Sequence, residues 1–252
     1  MQSEALHMIE EHLDIPTQDG AMNSFVVYPD EGGPFPVVLF YMDAPGKREE
    51  LHDMARRIAT TGYFVVLPNL YYRKTREFTF ERTDAGIAAM FEMTKHLSLE
   101  RVMQDTQSLL TFVDGHESAR SESLGAVGYC MSGPFVFKAA ARFPDRFHRA
   151  ASIYDANLVT ERDDSPHLDA NRITAELYFA CAEIDHYAPR ETIEKLAQHL
   201  NHVGANHRIE WYPQAEHGFA FPDRGDIYHK PSAERHWSRL HALFDRCLKL
   251  AQ

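Results

Sequence analysis

The stretch of this chain most suited to chemistry is Gly128-Tyr129-Cys130-Met131-Ser132-Gly133, a thiol with small residues two positions away on either side. An apolar run, Leu124 to Tyr129, leads into it, and an alanine-rich segment, Pro134 to Arg142, follows. A nucleophile set between a strand and a helix in this pattern reads as a nucleophile elbow. There a sharp turn strains the central residue and admits only small neighbours. The following helix would point its partial positive end at Cys130 and favour the thiolate. The blander alternative is a buried packing cysteine, since free Cys is among the most buried residue types.

A nucleophile of this kind needs a base and an acid to orient the base, in the chain order nucleophile, acid, His. After the apolar run ending at Cys181-Ala182 comes Glu183-Ile184-Asp185-His186-Tyr187-Ala188-Pro189, and after Tyr212-Pro213 comes Ala215-Glu216-His217-Gly218-Phe219. With 15 His in the chain, one His beyond a strand is unremarkable. The ordered set Cys130, Asp185 and His217 is far more specific. Glu183 is the alternative acid. The oxyanion of an acyl-transfer reaction would then be held by the N–H of Met131 and by one from the loop Tyr41-Met42-Asp43-Ala44-Pro45-Gly46. Pro45 has no N–H to give, which leaves Ala44. Asp43 is a candidate site residue in the same loop, or a plain loop-end acid.

These positions require elements that bring them to one edge. Strands are expected over Met8 to Ile15, Ser24 to Tyr28, Pro36 to Tyr41, Tyr63 to Leu67, Leu124 to Tyr129, Arg149 to Tyr154, Ala175 to Ala182 and His207 to Tyr212. Helices are expected over Glu49 to Thr60, Leu99 to Val113, Pro134 to Arg142, Arg190 to Val203 and Ser232 to Leu250. The continuous apolar runs fit strands buried on both faces, and the alternation with helices implies βαβ units around a mostly parallel sheet. Sites in such sheets lie beyond the carboxyl ends of the strands, which is where Cys130, Asp185 and His217 fall.

The chain has 252 residues, a soft prior of one or two domains, and no linker or repeat divides it. A single domain over 1–252 is the expectation. Lys and Arg number 26 against 37 Asp and Glu, a net charge of −11, which disfavours nucleic acid and anionic membranes as partners. Three cysteines exclude a disulfide framework, and Cys181 and Cys247 read as packing residues. The first residues carry no signal-peptide pattern and no run is long enough to span a membrane, so a cytoplasmic protein is expected. No ligand-spaced His/Cys/Asp cluster and no Gly-rich phosphate loop occurs, and no metal or cofactor is expected.

Taken together, Gly128-Tyr-Cys-Met-Ser-Gly133, the Asp185-x-x-x-Pro189 loop and His217-Gly-Phe219 resemble the dienelactone hydrolase family of α/β-hydrolases. Supporting matches are Asn69-Leu-Tyr-Tyr-Arg73, Ser165-Pro-His167 and Ala233-Glu-Arg-His-Trp237. The resemblance spans nearly the whole chain. It implies an α/β-hydrolase fold, a three-layer sandwich without a separate cap domain, and a Cys-His-Asp triad made of Cys130, His217 and Asp185. Several positions depart from the family. Ser132 replaces the usual Gly, and Asp43 stands where the family has a Glu tied to the resting thiol. Of two arginines that hold the substrate carboxylate, Arg73 matches one while Phe221 occupies the place of the other, which argues against dienelactone itself as substrate. Tyr71, Tyr72, Tyr129, Phe219 and Phe221 suggest an aromatic-walled pocket, shaped by loops 71–82 and 218–230.

The expected activity is hydrolysis of a small-molecule carboxylic ester or lactone through a thioester on Cys130, by a monomer or homodimer. An acyltransferase with the same triad, or a hydrolase-fold protein that binds a small ligand without turnover, are the alternatives.

Overall fold

The computed structural model describes residues 7–248. The expected extension of the last helix to Leu250 and the side chain of Cys247 lie outside the described residues. Eight strands form one sheet in the order β1-β2-β4-β3-β5-β6-β7-β8. β1 (Met8–Thr17) and β2 (Gly20–Pro29) make an antiparallel hairpin around a turn at Gln18 and Asp19. β2 pairs antiparallel with β4 (Phe64–Pro68), and β4 pairs parallel with β3 (Phe35–Tyr41). From β3 the ladder continues parallel through β5 (Ala119–Tyr129), β6 (Phe147–Ile153), β7 (Glu176–Ile184) and β8 (His207–Glu216).

Every residue of β3 and β4 is buried, as their unbroken apolar sequences require. Helices cover both faces. At Gly125 of β5 the sheet meets Phe244 of α6 (Lys230–Leu248), whereas at Gly128 it meets Val136 of α4 (Gly133–Arg142). An odd separation along a strand puts the two contacts on opposite faces. α1 (Glu49–Ala59) lies beside α6, joined by an Arg57–Glu234 ion pair at 2.7 Å and by Arg57 stacked 4.6 Å over Trp237. α3 (Leu99–Asp114) packs against α4, and α5 (Arg190–Val203) buries Ile193, Leu196 and Leu200.

One helix is absent from the sequence reading. α2 (Asp84–Thr94) is capped by Thr83, whose side chain accepts from the N–H of Gly86 at 3.1 Å, and none of its residues is buried. Its sequence, Asp-Ala-Gly-Ile-Ala-Ala-Met-Phe-Glu-Met-Thr, has apolar residues all round and no stripe, so periodicity gives no signal there. Among the described residues no helix is long and apolar enough to cross a membrane.

Candidate active site

β5 ends at Tyr129, and a short 3-10 turn over Cys130–Ser132 leads straight into α4. Cys130 has φ of 55°, the left-handed region that side-chain-bearing residues rarely adopt. The close flanks are a steric necessity. A Cβ on Gly128 would lie 2.6 Å from the Ser132 carbonyl oxygen, and one on Gly133 would lie 2.3 Å from Cβ of Asp155. Ser132 is fully buried, and its hydroxyl donates to the Met42 carbonyl. That bond ties the elbow to the loop after β3.

Asp185 and His217 come from the ends of β7 and β8. The N–H at Nδ1 of His217 donates to Oδ2 of Asp185 at 2.8 Å, while Oδ1 accepts the backbone N–H groups of Tyr187 at 2.9 Å and Ala188 at 3.2 Å. An Asp fixed by its own following backbone holds the ring in one tautomer and leaves the Nε2 lone pair free to act as a base. The ring is further held between Tyr154 and Tyr187, with centroids at 5.1 and 4.7 Å. Nε2 is buried and has no hydrogen-bond partner. His217 and Cys130 line the same cavity without being bonded to each other. Glu183, the alternative acid, points elsewhere and accepts the backbone N–H of Gln214 at 2.7 Å.

The thiol sits in a field of opposed signs. Burial and the nearby Asp43 carboxylate push its pKa up to about 12, against which the Arg224 guanidinium and the Met131 N–H pull it down. Asp43 is fully buried between two guanidiniums, with Arg48 Nη1 at 2.5 Å from Oδ1 and Arg224 Nη2 at 3.1 Å from Oδ2. Both guanidiniums also lie against the ring of Phe221, at 5.2 and 5.0 Å. Two more buried atoms near the triad have no partner, the Tyr154 hydroxyl and Nε of Arg224. Unpaired buried polar atoms are costly, and their gathering beside Cys130 and His217 marks a place prepared for something polar.

Of the two oxyanion candidates, Met131 and Ala44 both line the cavity. The Ala44 carbonyl accepts from the Tyr71 hydroxyl at 2.7 Å, and the same hydroxyl lies 3.8 Å from the Met131 sulfur. Tyr71 therefore fixes the peptide beyond Ala44, and its ring packs under the site instead of facing into it.

The cavity itself measures about 760 Å³ and opens between the triad and α2. Besides Tyr71 and Asp43, its lining differs from the sequence expectation at five positions. Arg73 is locked by both nitrogens onto Asp105, at 2.8 and 2.7 Å, with Nε on Asp19 at 2.6 Å. Tyr72 shares that cluster, its hydroxyl 2.8 Å from Asp105. Tyr129 donates to Nε2 of His236 at 2.9 Å, on the α6 side of the sheet, and burial holds that His neutral with a pKa near 4. Phe219 and Phe221 are fully buried in an aromatic cluster with Tyr154. None of these five lines the cavity. The aromatic walls come instead from Phe80, Phe91, Phe135 and Tyr187, and Arg224 supplies a cation that the sequence reading missed. Its only sequence signal is that it falls in the loop 218–230, named as one that shapes the pocket. Among the described residues no group of three His, Cys, Asp or Glu could hold a metal ion.

The sequence profile of the dienelactone hydrolase family matches residues 22–248. The chain belongs to the dienelactone hydrolase family. It is 26% identical over 240 residues to a Synechocystis protein named "Putative carboxymethylenebutenolidase", covering 94% of this chain and 96% of that one. An Escherichia coli K12 protein of the same name is 26% identical over 231 residues, covering 90% and 83% of the two chains. A crystal structure of a "Putative Dienelactone Hydrolase" from Klebsiella pneumoniae superposes with a TM-score of 0.84 at 26% identity, over 95% of this chain and 99% of that one. The fold is thus that of the α/β-hydrolases, with a single mostly parallel sheet and flanking helices.

Against the family pattern, each departure has a structural reading. Ser132 fits the elbow because its hydroxyl has the Met42 carbonyl to bond. Asp43, one methylene shorter than Glu, is drawn to the two arginines and does not line the cavity. At Phe221, where the resemblance leads one to expect an arginine, the guanidinium of Arg224 rests against the ring and lines the cavity from three residues further on.

Proposed function

We propose that the chain hydrolyses carboxylic esters or lactones by nucleophilic catalysis at Cys130. One observation carries this reading. His217, oriented by Asp185 at 2.8 Å, presents an unpartnered Nε2 to the same cavity as a thiol strained on an elbow. No hydrogen bond joins the two at rest, so the first step is rotation of the Cys130 side chain toward Nε2. His217 takes the thiol proton as sulfur attacks the carbonyl carbon, and the carbonyl electron pair moves onto oxygen. The N–H groups of Met131 and Ala44 are the donors for that oxyanion. As the tetrahedral adduct collapses, imidazolium returns the proton to the departing alkoxide and a thioester remains. Water then attacks, giving its proton to His217, and the acid leaves as Cys130 is reprotonated.

A thiol held high in pKa suits this route, because proton transfer to His217 is coupled to attack and no resting thiolate is exposed to oxidation. The alternative roles considered from sequence, acyl transfer to an alcohol and binding without turnover, have no specific feature in their favour. Replacement of Cys130 by Ala is expected to remove turnover of p-nitrophenyl acetate, by about a thousandfold or more, with the melting temperature retained. Full activity in Cys130→Ala overturns the assignment.

A further inference from the structure

The substrate of the proposed reaction can be narrowed from the cavity walls. A volume of about 760 Å³ is in the range of sites that enclose drug-sized ligands, roughly 300–1,000 Å³, and far exceeds what a small lactone fills. One wall is α2 and its approach, contributing Phe80, Met90 and Phe91, and Phe135 of α4 also lines the cavity. α2 buries none of its own side chains, and Phe91 remains 44% exposed. Met93 packs partly against the core, and the remaining apolar surface of the helix gains stability from what is placed against it.

Of the four cations that line the cavity, three are paired with acids. Lys138 is held by Asp169, Arg162 by Asp164 at 2.7 Å, and Arg224 by Asp43 at 3.1 Å. Arg82 donates to the Asp223 carbonyl at 3.1 Å and lies 5.8 Å from the Phe80 ring centroid. Arg73, the residue that a carboxylate-bearing substrate would need, is chelated by Asp105 away from the cavity. At three of these cations an anionic substrate would compete with acids already in place, whereas an apolar group meets unused apolar surface.

We propose that the substrate is a neutral ester with a bulky apolar group, lodged against Phe91 of α2, and that α2 is the element that selects it. The proposal rests on the reading of Cys130 as nucleophile, and the test separates the two. Steady-state hydrolysis is measured for p-nitrophenyl acetate, butyrate, hexanoate and octanoate. It is also measured for p-nitrophenyl hemiglutarate beside its neutral isostere, the 5-methylhexanoate. Each methylene fully removed from water is worth roughly a fourfold gain, so kcat/KM is expected to rise at least tenfold from acetate to octanoate, mainly through KM. The neutral 5-methylhexanoate is expected to exceed the hemiglutarate. Phe91→Asp is expected to lower the octanoate-to-acetate ratio at least fivefold, and Glu92→Ala, on α2 but off the cavity lining, to leave that ratio as it was. Turnover with no dependence on chain length, a preference for hemiglutarate, or an unchanged ratio in Phe91→Asp overturns the α2 subsite while the Cys130 reading stands. Absence of turnover on every ester overturns the Cys130 reading itself.

Discussion

The triad corner and the α2 wall face each other across one cavity and are built on opposite principles. Cys130, Asp185 and His217 stand at the ends of β5, β7 and β8, and the side chains of Asp185 and His217 are only 2% and 7% exposed. Each is held by several independent contacts: a strained elbow for Cys130, two backbone N–H groups for Asp185, and two tyrosine rings for His217. α2 has no buried residue and is held at its start by one side-chain cap. The difference shows where tight packing is needed. Bond-making geometry has to be fixed before substrate arrives, whereas a surface that selects by apolar contact can complete its packing with the substrate.

The sharpest way to break the comparison is at the corner. Asp185→Asn keeps the shape of the acid but no longer enforces the His217 tautomer, and kcat is expected to fall by about a thousandfold or more. Thermal unfolding would change little, and a near-normal kcat in stopped-flow or steady-state assays would show that the acid lies elsewhere. The next effect concerns the resting thiol. With Cys130 pushed up to about 12, its alkylation by iodoacetamide is expected to rise about tenfold per pH unit from pH 7 to 9 with no plateau. The Cys130→Ala variant serves as the blank for Cys181 and Cys247. A rate that levels off below pH 8 would mean a preformed thiolate.

On the other side, Thr83→Ala removes the cap of α2, a loss of about 1 kcal/mol to that helix alone. Octanoate hydrolysis is expected to drop two- to fivefold while global melting stays within about a degree, since no residue of α2 is fully buried. A large drop in melting temperature would place α2 within the cooperative core.

The smallest effect tests a carboxyl that the proposed chemistry does not use. Asp155, behind the elbow, is driven by burial and then by the Asp185 charge to a pKa of about 7, whereas in the unfolded chain it titrates near 4. The folded state thus holds the proton more tightly, and stability declines as pH rises through that window. Asp155→Asn is expected to raise the melting temperature by a few degrees at pH 8 and to give no such gain at pH 4, by differential scanning calorimetry. Equal shifts at both pH values would exclude titration as the cause.

Local pattern carried most of the corner proposed as catalytic. The small residues around Cys130 and the acids and His that end apolar runs follow from short-range constraints, and these are written within a few residues of each other. Strand boundaries moved by up to five residues, most at the start of β5, where Arg120 to Ser123 is polar and none of Ala119 to Ser123 is fully buried. Arg73 and Tyr72 were misplaced because their partner is Asp105, more than 30 residues away on α3. Tyr129 was misplaced because successive strand residues face opposite sides of the sheet: Gly128 meets α4, so Tyr129 turns to His236 of α6.

By itself, then, the sequence determined the strand-turn-helix around Cys130, the strand-end positions of Asp185 and His217 and the parallel core, because each depends on backbone sterics and periodicity over short spans. Tertiary structure alone decided the pairing of Asp43 with Arg48 and Arg224, the withdrawal of Arg73 from the cavity, and the placing of α2 over it. Those outcomes depend on which side chains meet after distant segments pack, and a charged or aromatic residue carries no local mark of the partner it will find.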